Sequence, residues 1–136
     1  MAQAVSPDFV ADKLGAAIAS LDADNISAIY ADDIVVWHPA FDQEMGKAEN
    51  ARLLAQVFAL AKELHYEQIR RHSIPGGIIQ QHVLTGTFRD GVPLPRLQVC
   101  MIIKVRDGLI TRIEEYFDAG TFAPVWERLA AASEGE

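Results

Sequence analysis

One carboxylate stands on an otherwise apolar strand face. From Leu109 to Phe117 the odd positions read Leu109, Thr111, Ile113, Glu115 and Phe117, and the even positions read Ile110, Arg112, Glu114 and Tyr116. Side chains alternate across a strand, so the odd set forms an apolar face interrupted by Glu115. An ionised carboxylate there is costly unless it is paired, hydrogen-bonded, or lines a cavity that uses it for chemistry. The run Ile34-Val35-Val36-Trp37-His38-Pro39 offers a second group, a short apolar strand ending on a histidine. Imidazole titrates near neutral pH, and a general base works best when its pKa lies near the working pH. A carboxylate beside an imidazole can orient it and hold its charge, or serve as a second acid or base. His38 and Glu115 are therefore the leading catalytic candidates. The structural alternatives are a strand-end histidine bonded to a backbone carbonyl, and a carboxylate paired with Arg70 or Arg52.

Composition excludes several function classes. The 136 residues suit a single domain, and half of them are hydrophobic, enough to bury a core. A net charge of −7 with only 12 scattered basic residues argues against nucleic-acid binding, which needs a clustered basic surface. No apolar run approaches the roughly 20 residues needed to span a bilayer, so no membrane association is expected. The segment Met1 to Pro7 lacks a basic stretch followed by an apolar one. No signal peptide and a cytoplasmic location are therefore expected. Cys100 is the lone cysteine, which excludes an intrachain disulfide and a cysteine-based zinc site. Pro75-Gly76-Gly77 reads as a turn, and no phosphate loop or dinucleotide fingerprint accompanies it, so no cofactor is expected.

The elements that must position the pair follow from periodicity. Ser6-Pro7-Asp8 starts a helix, with Phe9, Val10, Leu14, Ala17, Ile18 and Leu21 on one stripe. A short second helix carries Ile26, Ile29 and Tyr30, and the strand ending at His38 follows. Pro39 to Gly46 reads as a loop, and Glu49 to Leu64 as a long helix with Leu53, Leu54, Val57, Phe58, Ala61 and Leu64 inward. The period then changes to two, giving strands over Tyr66 to Ile74, Ile78 to Phe88, Leu97 to Val105 and Leu109 to Phe117. Arg106-Asp107-Gly108 makes a tight hairpin turn between the last two. Thr121 to Ala132 is expected to close the chain as a helix, with Ser133 to Glu136 frayed. Helices early and a strand meander late predict an α+β fold, a curved antiparallel sheet wrapped around helices with its core over about residues 7–132. The hollow of such a cone is a natural small-molecule site.

Three stretches carry a family likeness: Tyr30-Ala31-Asp32-Asp33 before a strand, the Gly46 loop before the long helix, and Asp107-Gly108-Leu109-Ile110 leading to Glu115-Tyr116-Phe117-Asp118. With these the chain resembles the nuclear transport factor two-like superfamily, in its branch of SnoaL-like polyketide cyclases, ketosteroid isomerases and limonene epoxide hydrolases. The resemblance implies a cystatin-like cone. It places His38 where the isomerases hold their catalytic aspartate, and Glu115 where the cyclases and epoxide hydrolases hold one. The sequence departs from both fully described mechanisms. His82 and Leu84 stand where the epoxide hydrolases have arginine and aspartate, and Leu14 and Met101 where the isomerases build an oxyanion hole.

The resemblance also points Ile34, Val36, His38, Gln80, His82 and Leu84 inward, to join Leu97, Val99, Met101 and Glu115. His82 is the third catalytic candidate. Tyr30, Val36, Leu54, Phe58, Leu84, Leu97, Val99, Met101 and Phe117 are the expected substrate-binding walls, with Trp126 beside them. No metal is expected. Asp118 reads as a turn or helix-start carboxylate, and Trp37 should point away from the hollow. The function implied is cofactor-independent proton transfer on a small, largely apolar carbonyl or hydroxylated compound, giving isomerisation, cyclisation or elimination. The alternative is a non-catalytic protein that holds a small hydrophobic ligand in the same pocket. Gln98, Ile102, Ile110 and Tyr116 make the outer sheet face too apolar to be fully solvated, so a homodimer through that face is expected.

Overall fold

A computed structural model describes residues 5–134. In chain order the elements are α1 (Pro7–Ser20), α2 (Ala23–Ser27), β1 (Tyr30–His38), a 3-10 turn (Pro39–Phe41), β2 (Gln43–Met45), α3 (Lys47–Leu60), β3 (Ala61–Ile74), β4 (Gly77–Phe88), β5 (Leu97–Arg106), β6 (Leu109–Phe117) and α4 (Ala123–Glu134). They form an α+β fold around one six-stranded sheet of order β2-β1-β6-β5-β4-β3. Helix α1 begins as its sequence dictates: the Ser6 hydroxyl accepts from Phe9 N at 3.2 Å, and Pro7 occupies the first turn. Its stripe of Val10, Ala11, Leu14, Ala17 and Ile18 is buried against the sheet. Gln68 adopts a left-handed backbone (φ 53°) where the β3–β4 register shifts between Glu67 and Arg70. Such irregularities bend and twist a strand, which curves the sheet around the helices.

Five expectations need correction. Tyr30 opens β1 rather than ending the second helix, because Ile110 N donates to Ile29 O at 2.8 Å and Tyr30 pairs with Ile110. That pairing of β1 with β6 is parallel, so the sheet is mixed and not wholly antiparallel. The expected loop after His38 contains β2, which pairs back on β1 with Val36 opposite Met45 and His38 opposite Gln43. The long helix stops at Leu60, and Ala61 to Leu64 belong to β3, with Ala61 opposite Phe88 and Leu64 opposite Gly86. Alanine, lysine, glutamate and leucine all favour helix, and long-range pairing overrides that preference here. Gly86 permits the close approach: a Cβ there would lie 2.4 Å from the Glu63 carbonyl oxygen.

The fifth correction concerns the start of β6. Leu109 is exposed and Ile110 is fully buried, the reverse of strict alternation. Val105 pairs with Ile110 and Lys104 with Arg112, so Thr111 is an extra residue that resets the face. Beyond it Ile113, Glu115 and Phe117 point inward as expected, while Tyr116 is exposed and meets Trp37 edge-on at 6.2 Å between ring centroids. Helix α4 starts two residues later than expected and includes Ser133 and Glu134; Gly135 and Glu136 lie outside the described residues. No helix among the described residues is long and apolar enough to cross a membrane.

Candidate active site

Between the sheet and the helices lies a cavity of about 90 Å³. Helix α3 contributes Asn50, Leu53, Leu54, Val57 and Phe58, which recur at helical spacing on one face. The sheet contributes His38, Leu64, Tyr66, His82, Leu84, Leu97, Val99, Glu115 and Phe117. Ile18, Phe122 and Trp126 complete the wall, which is mostly apolar.

His38 ends β1, held by its pairing with Gln43 of β2 and one residue beyond the last parallel pair of β1 with β6. That pairing sets Trp37 opposite Glu114, so the next residues along, His38 and Glu115, share the inner face. His38 Nε2 lies 3.3 Å from Glu115 Oε1. This is a contact between the two groups, longer than the usual charge-assisted hydrogen bond. The partner of Glu115 is thus His38 and not Arg70 or Arg52. Phe117 packs edge-on against the imidazole at 6.1 Å.

His82, on β4, is 2% exposed and enters the wall from the other side. Its Nδ1 lies 2.9 Å from Gln80 Nε2, and Gln80 Oε1 accepts from Arg71 Nε at 2.9 Å. The Arg71 guanidinium in turn meets the Asp12 carboxylate at 2.8 Å. Tyr66 stacks on the His82 ring at 3.8 Å. Burial lowers the His82 pKa to about 4; the Glu115 charge opposes this shift and Arg71 reinforces it. Burial also pushes the Tyr66 and Tyr30 phenols up, and the Glu115 charge adds to both, so each keeps its proton.

Three buried side-chain nitrogens have no hydrogen-bond partner among the described residues: His38 Nδ1, His82 Nε2 and Trp126 Nε1. All three belong to residues that line this one cavity. Buried polar atoms are nearly always satisfied, so the three nitrogens are the polar groups of this wall that the protein's own side chains leave unpaired.

The three catalytic candidates therefore meet in one cavity, with Leu54, Phe58, Leu84, Leu97, Val99 and Phe117 as walls. Tyr30, Val36 and Met101 do not reach it. They are buried in the core, where the Tyr30 hydroxyl donates to Asn50 Oδ1 at 2.8 Å, so Asn50 rather than Tyr30 presents the polar edge. Asn50 and Tyr66 join the site beyond expectation. Asn50 sits on the Leu53-Leu54-Val57 stripe, so its spacing held the signal, whereas Tyr66 follows Leu64 on the inner face of β3, a period visible only once Ala61 to Leu64 are strand. Asp118 stays outside, accepting from Gly120 N at 3.1 Å and from the Thr121 hydroxyl at 2.8 Å. These bonds hold its carboxyl below the ordinary range and start the turn into α4. No three histidine, cysteine, aspartate or glutamate side chains among the described residues converge as a metal site.

Solved structures share this architecture. A hypothetical protein with a ketosteroid isomerase-like fold from Catenulispora acidiphila, in complex with trimethylamine, aligns with a TM-score of 0.73 at 15% identity, over 87% of this chain and 91% of that one. PrhC from Penicillium brasilianum aligns at 0.75 and 17% identity, over 93% and 89%. An uncharacterised cystatin-fold protein from Novosphingobium aromaticivorans aligns at 0.69 and 21% identity, over 82% and 98%. At these identities the likeness is one of fold. No curated protein matches the sequence. The model of the SnoaL-like domain matches residues 11–113, most of the chain, and the protein belongs to that family.

Proposed function

We propose that this protein catalyses proton transfer on a small, largely apolar carbonyl compound without a cofactor, as an isomerase or cyclase. The observation that carries this reading is the His38–Glu115 contact opening into an apolar cavity. When His38 Nε2–H donates to Glu115, the free lone pair lies on Nδ1, the nitrogen left without a partner. That nitrogen takes a proton from carbon next to the carbonyl, and Glu115 stabilises the imidazolium that forms. The low-polarity wall strengthens the attraction between the two charges. The cavity volume limits the substrate. At about 90 Å³ it is smaller than the roughly 150 Å³ apolar cavity that admits benzene. Larger substrates require wall movement; Trp126, Leu53 and His38 also border an adjoining groove with Phe41, Gln43 and Met45.

Exchange of α-protons for solvent deuterium tests this whatever the final product is. Small cyclic ketones and enones in D2O should exchange faster with the protein than in buffer, as read by proton NMR. A panel that shows saturable thermal shifts and no exchange would support the second reading, a protein that binds a small hydrophobic ligand. The same apolar wall favours that reading.

We propose further that the outer sheet face, with Trp37 and the exposed Tyr116, pairs with a second copy of the chain. Light scattering at micromolar concentration should give twice the mass of one chain. The mass of a single chain would overturn the pairing.

A further inference from the structure

We propose that His82 is a fixed hydrogen-bond donor to the carbonyl oxygen of the ligand, with its tautomer set from the protein surface through Arg71 and Gln80. The directions of the bonds decide this. A guanidinium only donates, so Arg71 Nε holds the Gln80 oxygen, at 2.9 Å. The Gln80 amide nitrogen must then face His82 Nδ1, 2.9 Å away, and Nδ1 must accept. One ring proton remains, and it sits on Nε2, the buried nitrogen with no partner among the described residues. Gln80 is fully buried and Arg71 lies directly opposite it across the β3–β4 pair, anchored at its outer end by Asp12. Tyr66 stacked on the ring fixes the direction of the N–H. An unpaired buried N–H is costly, and a cavity that keeps one pre-oriented suits an acceptor atom that arrives with the ligand.

The acceptor belongs to a neutral molecule. Burial keeps the imidazole uncharged down to a pH of about 4, and Glu115 shares the cavity, so neither group matches a carboxylate ligand. A ketone, enone or lactone carbonyl fits. The carbonyl part of the proposed function is assumed here. In that reaction His38 Nδ1 bonds the α-proton, the C–H electron pair becomes a C=C π bond, the carbonyl π pair moves onto oxygen, and the His82 N–H meets the growing negative charge. Gln80 and Arg71 act through His82 and are positioning residues.

Long-range proton–nitrogen NMR of 15N-histidine-labelled protein reads the tautomer directly. At pH 7, His82 should carry its proton on Nε2; a proton on Nδ1 in the unaltered protein overturns the inference. Gln80→Glu replaces the donor with an acceptor and should bring a proton onto Nδ1, while Gln80→Leu should release the ring to a mixture. For recognition, cyclopentanone and methylenecyclopentane differ only in the acceptor oxygen. The ketone should bind about 2- to 10-fold tighter, the range of one hydrogen bond, and His82→Leu should bring the ratio near one. A ratio unchanged by His82→Leu overturns the donor role. Both readouts are equilibrium measurements. Failure of α-proton exchange leaves them standing, and their failure leaves the His38–Glu115 pair untouched.

Discussion

His38→Ala should lower the rate of α-proton exchange about 10²- to 10⁴-fold, the usual loss when one general acid or base is removed, or roughly 3–5 kcal/mol of transition-state stabilisation. Glu115→Gln should fall in the same range. The glutamine keeps the shape of the side chain and removes the charge that stabilises an imidazolium at 3.3 Å. If the two act as one unit, the double variant should lose far less than the product of the single losses. Both residues sit at the cavity wall and neither belongs to the hydrophobic core, so the variants should retain cooperative unfolding. Exchange rates that survive either substitution would reduce the pair to a structural contact and remove the basis for catalysis.

Acid should destabilise the fold through His82 well before the carboxylates titrate fully. Its pKa is about 4 in the folded protein and 6.5 as the ordinary value, so between these limits the unfolded chain binds more protons. Stability is then complete above about pH 6.5 and falls as pH drops toward 4. At 1.36 kcal/mol per unit, the difference between 6.5 and 4 amounts to about 3 kcal/mol, a large part of a small domain's stability. Burial supplies the shift first, with Glu115 opposing it and Arg71 adding to it. Asp90 and Asp118 have carboxyls held below their ordinary 3.8 by hydrogen bonds, so their share is lost only below this window. Urea unfolding at pH 7, 6, 5 and 4, at one protein concentration, should show the decline in the unaltered protein and a much flatter profile in His82→Leu. Parallel profiles would mean that His82 titrates normally and is not held neutral by its surroundings.

Local pattern carried much of this protein. The Ser6-Pro7 start and the stripe from Val10 to Ile18 are complete in the sequence, because a helix repeats every 3.6 residues and needs no distant partner to show its face. The Asp107-Gly108 turn and the inward Glu115 follow equally from short-range alternation. The same alternation misplaced Leu109 and Ile110, since the extra residue at Thr111 arises from pairing with β5 and β1. Helix propensity misassigned Ala61 to Leu64 for a similar reason: the partner that makes them a strand is β4, beyond the Gly76 turn.

The site divides along the same line. Residue type marked His38, His82 and Glu115 as chemical groups, alternation gave the face of Glu115 alone, and the family resemblance turned the two histidines into the same hollow. Only the tertiary structure set their partners. The parallel pairing of β1 with β6 puts His38 within 3.3 Å of Glu115. The chain of Asp12, Arg71 and Gln80 decides which His82 nitrogen holds the proton. Sequence period reports which side of an element a residue occupies. A hydrogen bond also needs a donor and an acceptor at a set distance and direction, and those come from strands that meet only after the sheet has closed.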